Sequence, residues 1–212
     1  MIIAYKNKYI IIIRRKVFFV LNKRDIKSYL KYRNYINKMS YCRKNNLPVQ
    51  VENLINHQIN VELSASHVYL ALYSFFMNDQ QGYPGFAKFF KASSDEETCH
   101  AKRFIDYQNT RGGDVRILGI PNPQFVIQNN NRSIIYQAVE FALNLEQQVY
   151  DSILHIHNTS NDNGLQVFLD DFIKEQLEAQ FELGTLLRKL ERIGNDGHGL
   201  TQMDNEMVEK FK

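Results

Sequence analysis

The sequence predicts an all-α protein: a bundle of four long helices with one long crossover connection and a short fifth helix at the C-terminus. Three observations predict this fold. Apolar residues recur every three or four positions in four long segments of the 212-residue chain, which is the spacing of amphipathic helices. Short turns separate the first segment from the second and the third from the fourth. About 20 residues without a clear helical pattern separate the second from the third, so the chain can cross the bundle there.

The first helix is predicted over residues 49–77. Its apolar face consists of Val51, Leu54, Ile55, Ile59, Leu63, Val68, Leu72 and Phe76. The stretch "QGYPGF" ends this helix and begins the next, since Gly82, Pro84 and Gly85 favour a turn and Pro suits a first helical turn. The second helix is predicted over residues 84–110, with Phe86, Phe89, Phe90, Ala101, Phe104 and Ile105 on one side.

The stretch "RGGDVRILGIPNPQ" predicts the crossover. Its two adjacent glycines can end a helix, and its two prolines exclude an ordinary helix beyond them. Ser133 is a suitable N-cap for a third helix over residues 134–158. The apolar face of this helix consists of Ile135, Ala138, Phe141, Ala142, Leu145, Val149, Ile153 and Ile156.

A polar turn, "NTSNDNG", leads into a fourth helix over residues 165–193. Its apolar residues are Phe168, Phe172, Leu177, Phe181 and Leu187. After "GNDGHG", a short helix is predicted over residues 200–211, because its apolar residues again follow helical spacing. These are Leu200, Met203, Met207 and Phe211.

Residues 1–38 differ in composition from the rest of the chain. They carry 11 basic residues and one acid, Asp25, for a net charge of +10, whereas residues 39–212 have a net charge of −7. Three interpretations stay open: a non-functional extension, a mitochondrial transit peptide or a secretory signal. Residues 14–16 interrupt the apolar run that a secretory signal needs, and the segment is rich in Lys, Tyr and Ile rather than Ser. We therefore expect a basic extension over 1–38 and one helical domain over 39–212.

The composition of the body excludes several functions. No run of 18 or more apolar residues occurs, so no membrane partner is expected. An acidic body is a poor nucleic-acid binder and suits cations better. The two cysteines, Cys42 and Cys99, are far apart and favour a reducing compartment. We expect a cytoplasmic protein, or a mitochondrial one if residues 1–38 are a transit peptide.

The stretch "SSDEETCH" contains a Glu-x-x-His pair, Glu97 and His100, which share one helix face. None of the other five histidines has a Glu three residues before it. Each remaining long helix offers one polar group beside its apolar stripe: Glu62, Glu146 and Gln176. Buried carboxylates need a cation or a polar partner, so these groups together predict a metal site inside the bundle. Oxygen ligands with one imidazole suit iron or manganese better than zinc.

The sequence resembles ferritin, specifically the catalytic heavy-type subunit, from about Leu47 to Leu200. The resemblance rests on "INHQINVELSASHVYLALYSFF", "GFAKFFKASSDEETCHAKRFIDYQNTRGG", "ALNLEQQV" and "EQLEAQFELG", in that order. It implies a ferritin-like fold and a shell of 24 identical subunits, or of this subunit mixed with other ferritin subunits. Such a shell oxidises Fe(II) with O2 at a di-iron ferroxidase centre and stores ferric mineral.

The resemblance also implies a role for each site residue. Glu62 and His100 look like terminal ligands of the first iron, and Glu97 like the bridging carboxylate. Glu146 looks like the ligand of the second iron, Gln176 like the holder of a water there, and Tyr69 like the neighbouring phenol. A site with one histidine and a glutamine holds its second metal loosely, which suits a transit site better than a permanent cofactor.

Two features depart from the family's pattern. The family's three-fold channel has two acids near the start of the fourth helix, where this chain has Gln166 and Leu169; Asp170 and Asp171 face elsewhere, and His157 matches a channel position. The inner-surface acids correspond to Glu96, Cys99 and Lys102, which leaves one acid. An alternative is therefore a storage subunit with weak ferroxidase activity. A same-fold oligomer that stores no iron is a further alternative, and a twelve-subunit shell is less favoured.

Overall fold

A computed structural model describes residues 2–5, 8–13, 16–22, 47–123, 125–128 and 130–211. The chain divides into two compact units, Met1–Leu47 and Pro48–Lys212. In the first unit, strands β1 (Ile2–Tyr5), β2 (Lys8–Ile13) and β3 (Lys16–Asn22) form an antiparallel sheet in the order β1-β2-β3. Ile3 pairs with Ile10, and Ile10 pairs with Val20. The domain boundary expected between residues 38 and 39 lies outside the described residues and stays a prediction.

All regular elements in the described residues of the second unit are helices, which confirms the all-α bundle with a short C-terminal helix. Its helices are α1 (Val49–Met77), α2 (Pro84–Thr110), α3 (Ile134–Thr159), α4 (Asn163–Ile193) and α5 (Gly197–Lys210). Helix α1 pairs with α2, α3 pairs with α4, and α5 packs mainly on α2. Among the described residues, no helix combines the length and apolar character that a bilayer crossing needs.

The core of the bundle is built from the apolar stripes of all five helices. Phe76, Phe86 and Phe90 are fully buried and lie with their rings against one another. Leu177 and Phe181 are an exception to the predicted stripe of α4, because their side chains are 51% and 75% exposed. The buried face of α4 instead passes through Phe172, Gln176 and Leu183, so part of it is polar.

The ends of α2 and α3 follow the local sequence. Gly112 has a φ of 69°, and the N–H of Gly113 donates to the carbonyl of Gln108, which closes α2 with a Schellman motif. Ser133 accepts a hydrogen bond from the N–H of Tyr136 and so caps α3, as predicted. These two caps define where the crossover begins and ends.

The crossover is tied to α1 by two asparagines spaced one turn apart. Asn56 donates to the carbonyl of Asp114 and accepts from the N–H of Arg116, over 2.8 and 2.6 Å. Asn60 donates to the carbonyl of Arg116 and accepts from the N–H of Leu118, over 2.9 and 2.7 Å. One helical turn and two extended residues both advance the chain by about 6 Å, so the two amides match alternate residues of the crossover.

Two acidic side chains join helix ends that are distant in sequence. Asp162, the N-cap of α4, accepts from the N–H of Leu165 and forms a two-bond ion pair with Arg111 at the end of α2. Asp204 of α5 is buried and accepts from the N–H of Phe86 in the first turn of α2 over 2.9 Å. Because a helix N-terminus has unpaired N–H groups and partial positive charge, this carboxylate both satisfies and stabilises it.

Candidate metal centre

Four helices each present polar side chains to one point inside the bundle. Glu62 comes from α1, Glu97 and His100 from α2, Glu146 from α3 and Gln176 from α4. Each of the five residues is at most 6% exposed. The structure therefore brings together all the ligand candidates that the sequence predicts, although their roles stay predictions.

Glu62, Glu97 and His100 form the tightest cluster. One ligand-capable atom of each lies within 4.8 Å of the others. Nδ1 of His100 lies 3.2 Å from Oε2 of Glu97, as the i, i+3 spacing on α2 requires. Two carboxylates and one imidazole at this separation fit a cation of the iron or manganese class.

Glu146 faces the cluster from α3. The phenol of Tyr69, which is also buried, donates a hydrogen bond to Oε1 of Glu146. Tyr69 therefore lies beside the ligand candidates, while the role that the resemblance implies for it stays a prediction. A hydrogen bond of this kind sets the orientation of the carboxylate.

Three buried oxygen atoms in the centre have no hydrogen-bond partner among the described residues: Oε2 of Glu62, Oε2 of Glu146 and Oε1 of Gln176. A buried polar atom without a partner costs about 1–3 kcal/mol, and a charged one costs more. These three oxygens come from three different helices and accept rather than donate. The donor set therefore fits a bound cation.

The electrostatics of the site also favour a cation. Burial and then the charge of Glu146 raise the pKa of Glu97 to about 8. Burial is likewise the largest cause of the raised pKa values of Glu62 and Glu146, while the hydrogen bond from Tyr69 acts in the opposite direction on Glu146. Burial also raises the pKa of Tyr69, so the phenol stays protonated and donates a hydrogen bond to Glu146. A positive ion would offset both the burial penalty and the repulsion that hold protons on these carboxylates.

A cavity of about 220 Å³ connects the centre to the surface. Four of the five ligand candidates line it, Glu62 being the exception, and so do the acids Glu96, Glu175, Glu178 and Glu182. Its acidic lining suits the passage of a cation.

Glu175 lines this cavity together with His100 and also binds Arg103. Oε2 of Glu175 lies 3.3 Å from Nε2 of His100 and accepts from Nη1 of Arg103 over 2.6 Å. The guanidinium of Arg103 lies 3.9 Å from the centre of the Phe172 ring. With Nε2 facing Glu175, Nδ1 of His100 is the nitrogen on the side of Glu97.

Two residues that contact the centre are not predicted from the sequence. Gln58 donates from Nε2 to Oε1 of Glu62 over 2.8 Å, and Ser152 donates to Oε1 of Gln58 over 2.5 Å. A glutamine one turn before Glu62 is a visible signal for the first contact. Ser152 lies 94 positions further along the chain, so no local pattern reveals the second contact.

The residues aligned with the family's channel have other surroundings here. Leu169 is fully buried, and the amide of Gln166 donates to the carbonyls of Ser160 and His157 over 2.9 and 3.4 Å. Nε2 of His157 lies 3.3 Å from Oδ1 of Asp170, whose side chain is 63% exposed. Leu169 is therefore part of the core of this subunit, and Asp170 is the acid beside His157.

The three positions that correspond to the family's inner-surface acids are exposed to solvent. Glu96, Cys99 and Lys102 are all exposed on α2. Glu96 is the acid among the three, as the sequence indicates, and it lines the cavity of the metal centre.

Comparison with known proteins supports the same fold. The ferritin family, described by its ferritin-like domain, matches residues 52–193. A chloroplastic ferritin of Malus baccata var. xiaojinensis is 36% identical over 170 residues, which cover 78% of this chain and 68% of the relative. Ferritin-2, chloroplastic, of Zea mays is 38% identical over 163 residues, 75% of this chain and 65% of the relative. Ferritin-2, chloroplastic, of Arabidopsis thaliana is 39% identical over 161 residues, which cover 74% of this chain and 63% of the relative. The chain thus spans between 63% and 68% of the length of these relatives.

These relatives correct one expectation. All three are chloroplastic, which contradicts the cytoplasmic location expected from the sequence. The physical reason is that a targeting segment, and not the composition of the folded domain, determines the compartment to which a protein is delivered. Residues 1–38 combine a net charge of +10 with a single acid, and chloroplast transit peptides are also poor in acids.

Proposed function

The chain belongs to the ferritin family, and on that premise we propose that it stores iron and oxidises Fe(II) with O2 inside its four-helix bundle. The observation that carries the proposal is the buried cluster of Glu62, Glu97 and His100, with ligand atoms within 4.8 Å of one another. Iron is the substrate of this site rather than a resident cofactor. The ferric product is stored in a shell of 24 subunits.

Each ligand has a distinct task in the proposed reaction. Glu62 and His100 bind the first Fe(II), Glu146 binds the second, and Glu97 lies between them as the bridging carboxylate. Gln176 offers only a neutral amide oxygen, so the second ion is held more loosely than the first. Carboxylate oxygens favour the harder Fe(III), and the ligand set therefore promotes the loss of one electron from each ion to O2.

Protons leave the site when the ions bind. Glu97 has a pKa of about 8, and the pKa values of Glu62 and Glu146 are also raised. A ligand must be deprotonated to bind a metal, so ion binding at neutral pH displaces protons from these carboxyl groups. Tyr69 keeps its proton and holds Glu146 in place.

Replacing ligands tests this proposal. Glu97→Ala and His100→Ala are each expected to abolish fast Fe(II) oxidation in stopped-flow absorbance while the shell still assembles, as measured by analytical ultracentrifugation. Asp95→Ala is the matched control, because Asp95 lies on the same helix with a 69% exposed side chain. Unchanged initial rates in the two ligand variants would refute the assignment.

A second candidate is a storage subunit with weak ferroxidase activity. The buried Leu169 and the backbone-bonded Gln166 favour it, since neither offers the acid that the family has in its channel. Initial oxidation rates and iron-to-protein ratios of the purified homopolymer separate the two candidates. Slow early oxidation with full loading would favour the second.

We also propose a plastid location, because the matched relatives are chloroplastic. The full-length chain, incubated with isolated chloroplasts, is expected to become protected from added protease. A chain lacking residues 1–46 is the control and should stay accessible. Equal protease sensitivity of both chains would contradict a plastid role for the N-terminal segment.

A further inference from the structure

A two-step hydrogen-bond chain ends on Glu62, and neither of its other two members lines the cavity. Gln58, one turn earlier on α1, donates from Nε2 to Oε1 of Glu62 over 2.8 Å. Ser152 on α3 donates from Oγ to Oε1 of Gln58 over 2.5 Å. Gln58 is fully buried, and the proposed reaction gives neither Gln58 nor Ser152 a role.

The direction of the chain determines the orientation of the Gln58 amide. With a metal ion bound, Glu62 is ionised and its carboxylate only accepts hydrogen bonds, so the amide nitrogen of Gln58 faces Glu62. The amide oxygen then faces Ser152, whose hydroxyl donates. A flipped amide would place two acceptors against each other at Glu62. The contact with Ser152 satisfies the amide oxygen and holds the side chain of Gln58 beside Glu62.

The consequence appears at the two oxygens of Glu62. Oε1 is occupied by the Gln58 amide, whereas Oε2 is buried without a partner among the described residues. A carboxylate with one oxygen bound in this way cannot rotate freely about its final bond. Oε2 is therefore the oxygen that remains for an ion in the cluster with Glu97 and His100.

We propose that Gln58 and Ser152 are positioning residues that present Oε2 of Glu62 to the bound metal ion. This inference rests on the proposed function, since it assumes that Glu62 binds a divalent cation. It explains why a fully buried glutamine lies one turn before a buried carboxylate on α1. It also gives α3 a second contribution to the site besides Glu146.

Titration of the metal-free full-length chain with Co²⁺ tests the inference, with the visible d–d absorption as readout. Gln58→Met keeps the length of the side chain and removes its hydrogen bonds, and Ser152→Ala removes the hydroxyl. Both are expected to weaken Co²⁺ binding and change the band intensity, which depends on coordination. Loss of an outer contact to a metal ligand lowers affinity roughly tenfold to hundredfold. Ser152→Thr retains the hydroxyl and should restore both quantities.

Gln108→Met is the matched control. Gln108 is a second fully buried glutamine of the bundle, and its amide donates to the carbonyls of Glu52 and Asp114 rather than to a ligand. This variant should lose thermal stability but keep the wild-type Co²⁺ affinity and spectrum. If Gln58→Met fails to fold, Ser152→Ala and Ser152→Thr carry the comparison.

The outcomes distinguish failure of the inference from failure of the proposed function. Wild-type affinity and spectrum in Gln58→Met or Ser152→Ala would overturn the positioning role alone. Equal Co²⁺ binding by the wild type and Glu97→Ala would instead overturn the metal centre, and the inference with it. An equal loss of affinity in Gln108→Met would also overturn the positioning role, because the effect would then be a general one of buried glutamines.

Discussion

The phenol of Tyr69 on α1 donates a hydrogen bond to Oε1 of Glu146 on α3, 77 positions away in the sequence. Both side chains are buried, and Oε2 of the same carboxylate has no hydrogen-bond partner in the part of the chain that the structure describes. The contact therefore occupies one of the two oxygens of Glu146, as the amide of Gln58 occupies one of the two oxygens of Glu62. In both cases one oxygen is held by the protein, and the other is buried and available to an ion in the candidate metal centre.

Removing this phenol should slow the proposed reaction without unfolding the bundle. Tyr69→Phe leaves Oε1 of Glu146 unpaired and its carboxylate free to rotate. Fe(II) oxidation, measured by stopped-flow absorbance, is expected to slow roughly tenfold to hundredfold, as for other outer contacts to metal ligands. Tyr73→Phe on the same helix is the control, and equal rates in the two variants would contradict the role of Tyr69.

The raised pKa of Glu97 predicts a pH-dependent stability of the metal-free protein. The folded-state pKa is about 8 against 4.5 for the free side chain. Between these values the folded state holds a proton that the unfolded state has lost, so stability falls as pH rises from about 4.5 to about 8. With a chelator present, the Tm is expected to fall over this range and to fall less in Glu97→Gln.

Glu178→Gln is the control for this measurement, because the side chain of Glu178 is 67% exposed. Its Tm should follow the wild-type pH dependence. Parallel curves for wild type and Glu97→Gln would show that Glu97 is ionised in the metal-free fold, against the expectation.

The ion pair between Asp162 and Arg111 predicts a loss of stability in acid. The hydrogen bonds from Arg111 lower the pKa of Asp162 below its usual value. Its stabilising effect is therefore present above the unfolded-state pKa of about 3.9 and is lost as pH falls through the lower folded value. Asp162→Asn keeps a capping side chain but loses the ion pair.

Urea unfolding at pH 7 and pH 3 measures this contribution. Asp162→Asn should be less stable than wild type at pH 7, and the difference should shrink at pH 3. Asp162→Ala loses the cap as well, which adds about 1 kcal/mol. Asp196→Asn, at the N-cap of α5, is the control; a pH-independent deficit in Asp162→Asn would rule out the ion pair.

The docking of α5 depends on the absence of a side chain at Gly85. A Cβ there would lie 1.9 Å from the backbone oxygen of Asp204, closer than two non-bonded heavy atoms can approach. Gly85→Ala is therefore expected to displace α5 and lower the Tm more than Asp204→Ala, which leaves the N–H of Phe86 unpaired at a cost of about 1–3 kcal/mol.

Gly184→Ala is the matched control for this substitution. Gly184 lies inside α4, and a Cβ there would meet no atom within 4 Å. Alanine is favoured over glycine in a helix by about 1 kcal/mol, so this variant should be unchanged or more stable. A Tm in Gly85→Ala equal to that of Gly184→Ala would contradict the close packing of α5 on α2.

The sequence by itself determined the helical bundle and the identity of the ligand candidates. Helical spacing is a local property, and the boundaries of α1 and α2 agree with the predicted ones. Helix α4 begins at Asn163, two residues before the predicted start, because Asp162 rather than a later residue accepts the capping hydrogen bond. The ligand set could be found because a polar residue inside an apolar stripe is visible without coordinates.

Only the tertiary structure decided which atoms of those residues are held and which remain available. The Tyr69–Glu146 and Ser152–Gln58 contacts join helices that are distant in sequence, and their geometry depends on how α1 and α3 pack. The same holds for Leu169, whose burial depends on the rotation of α4 in the bundle, and for Leu177 and Phe181, which that rotation leaves exposed. Periodicity places a residue on a helix face, but packing between helices decides what that face contacts.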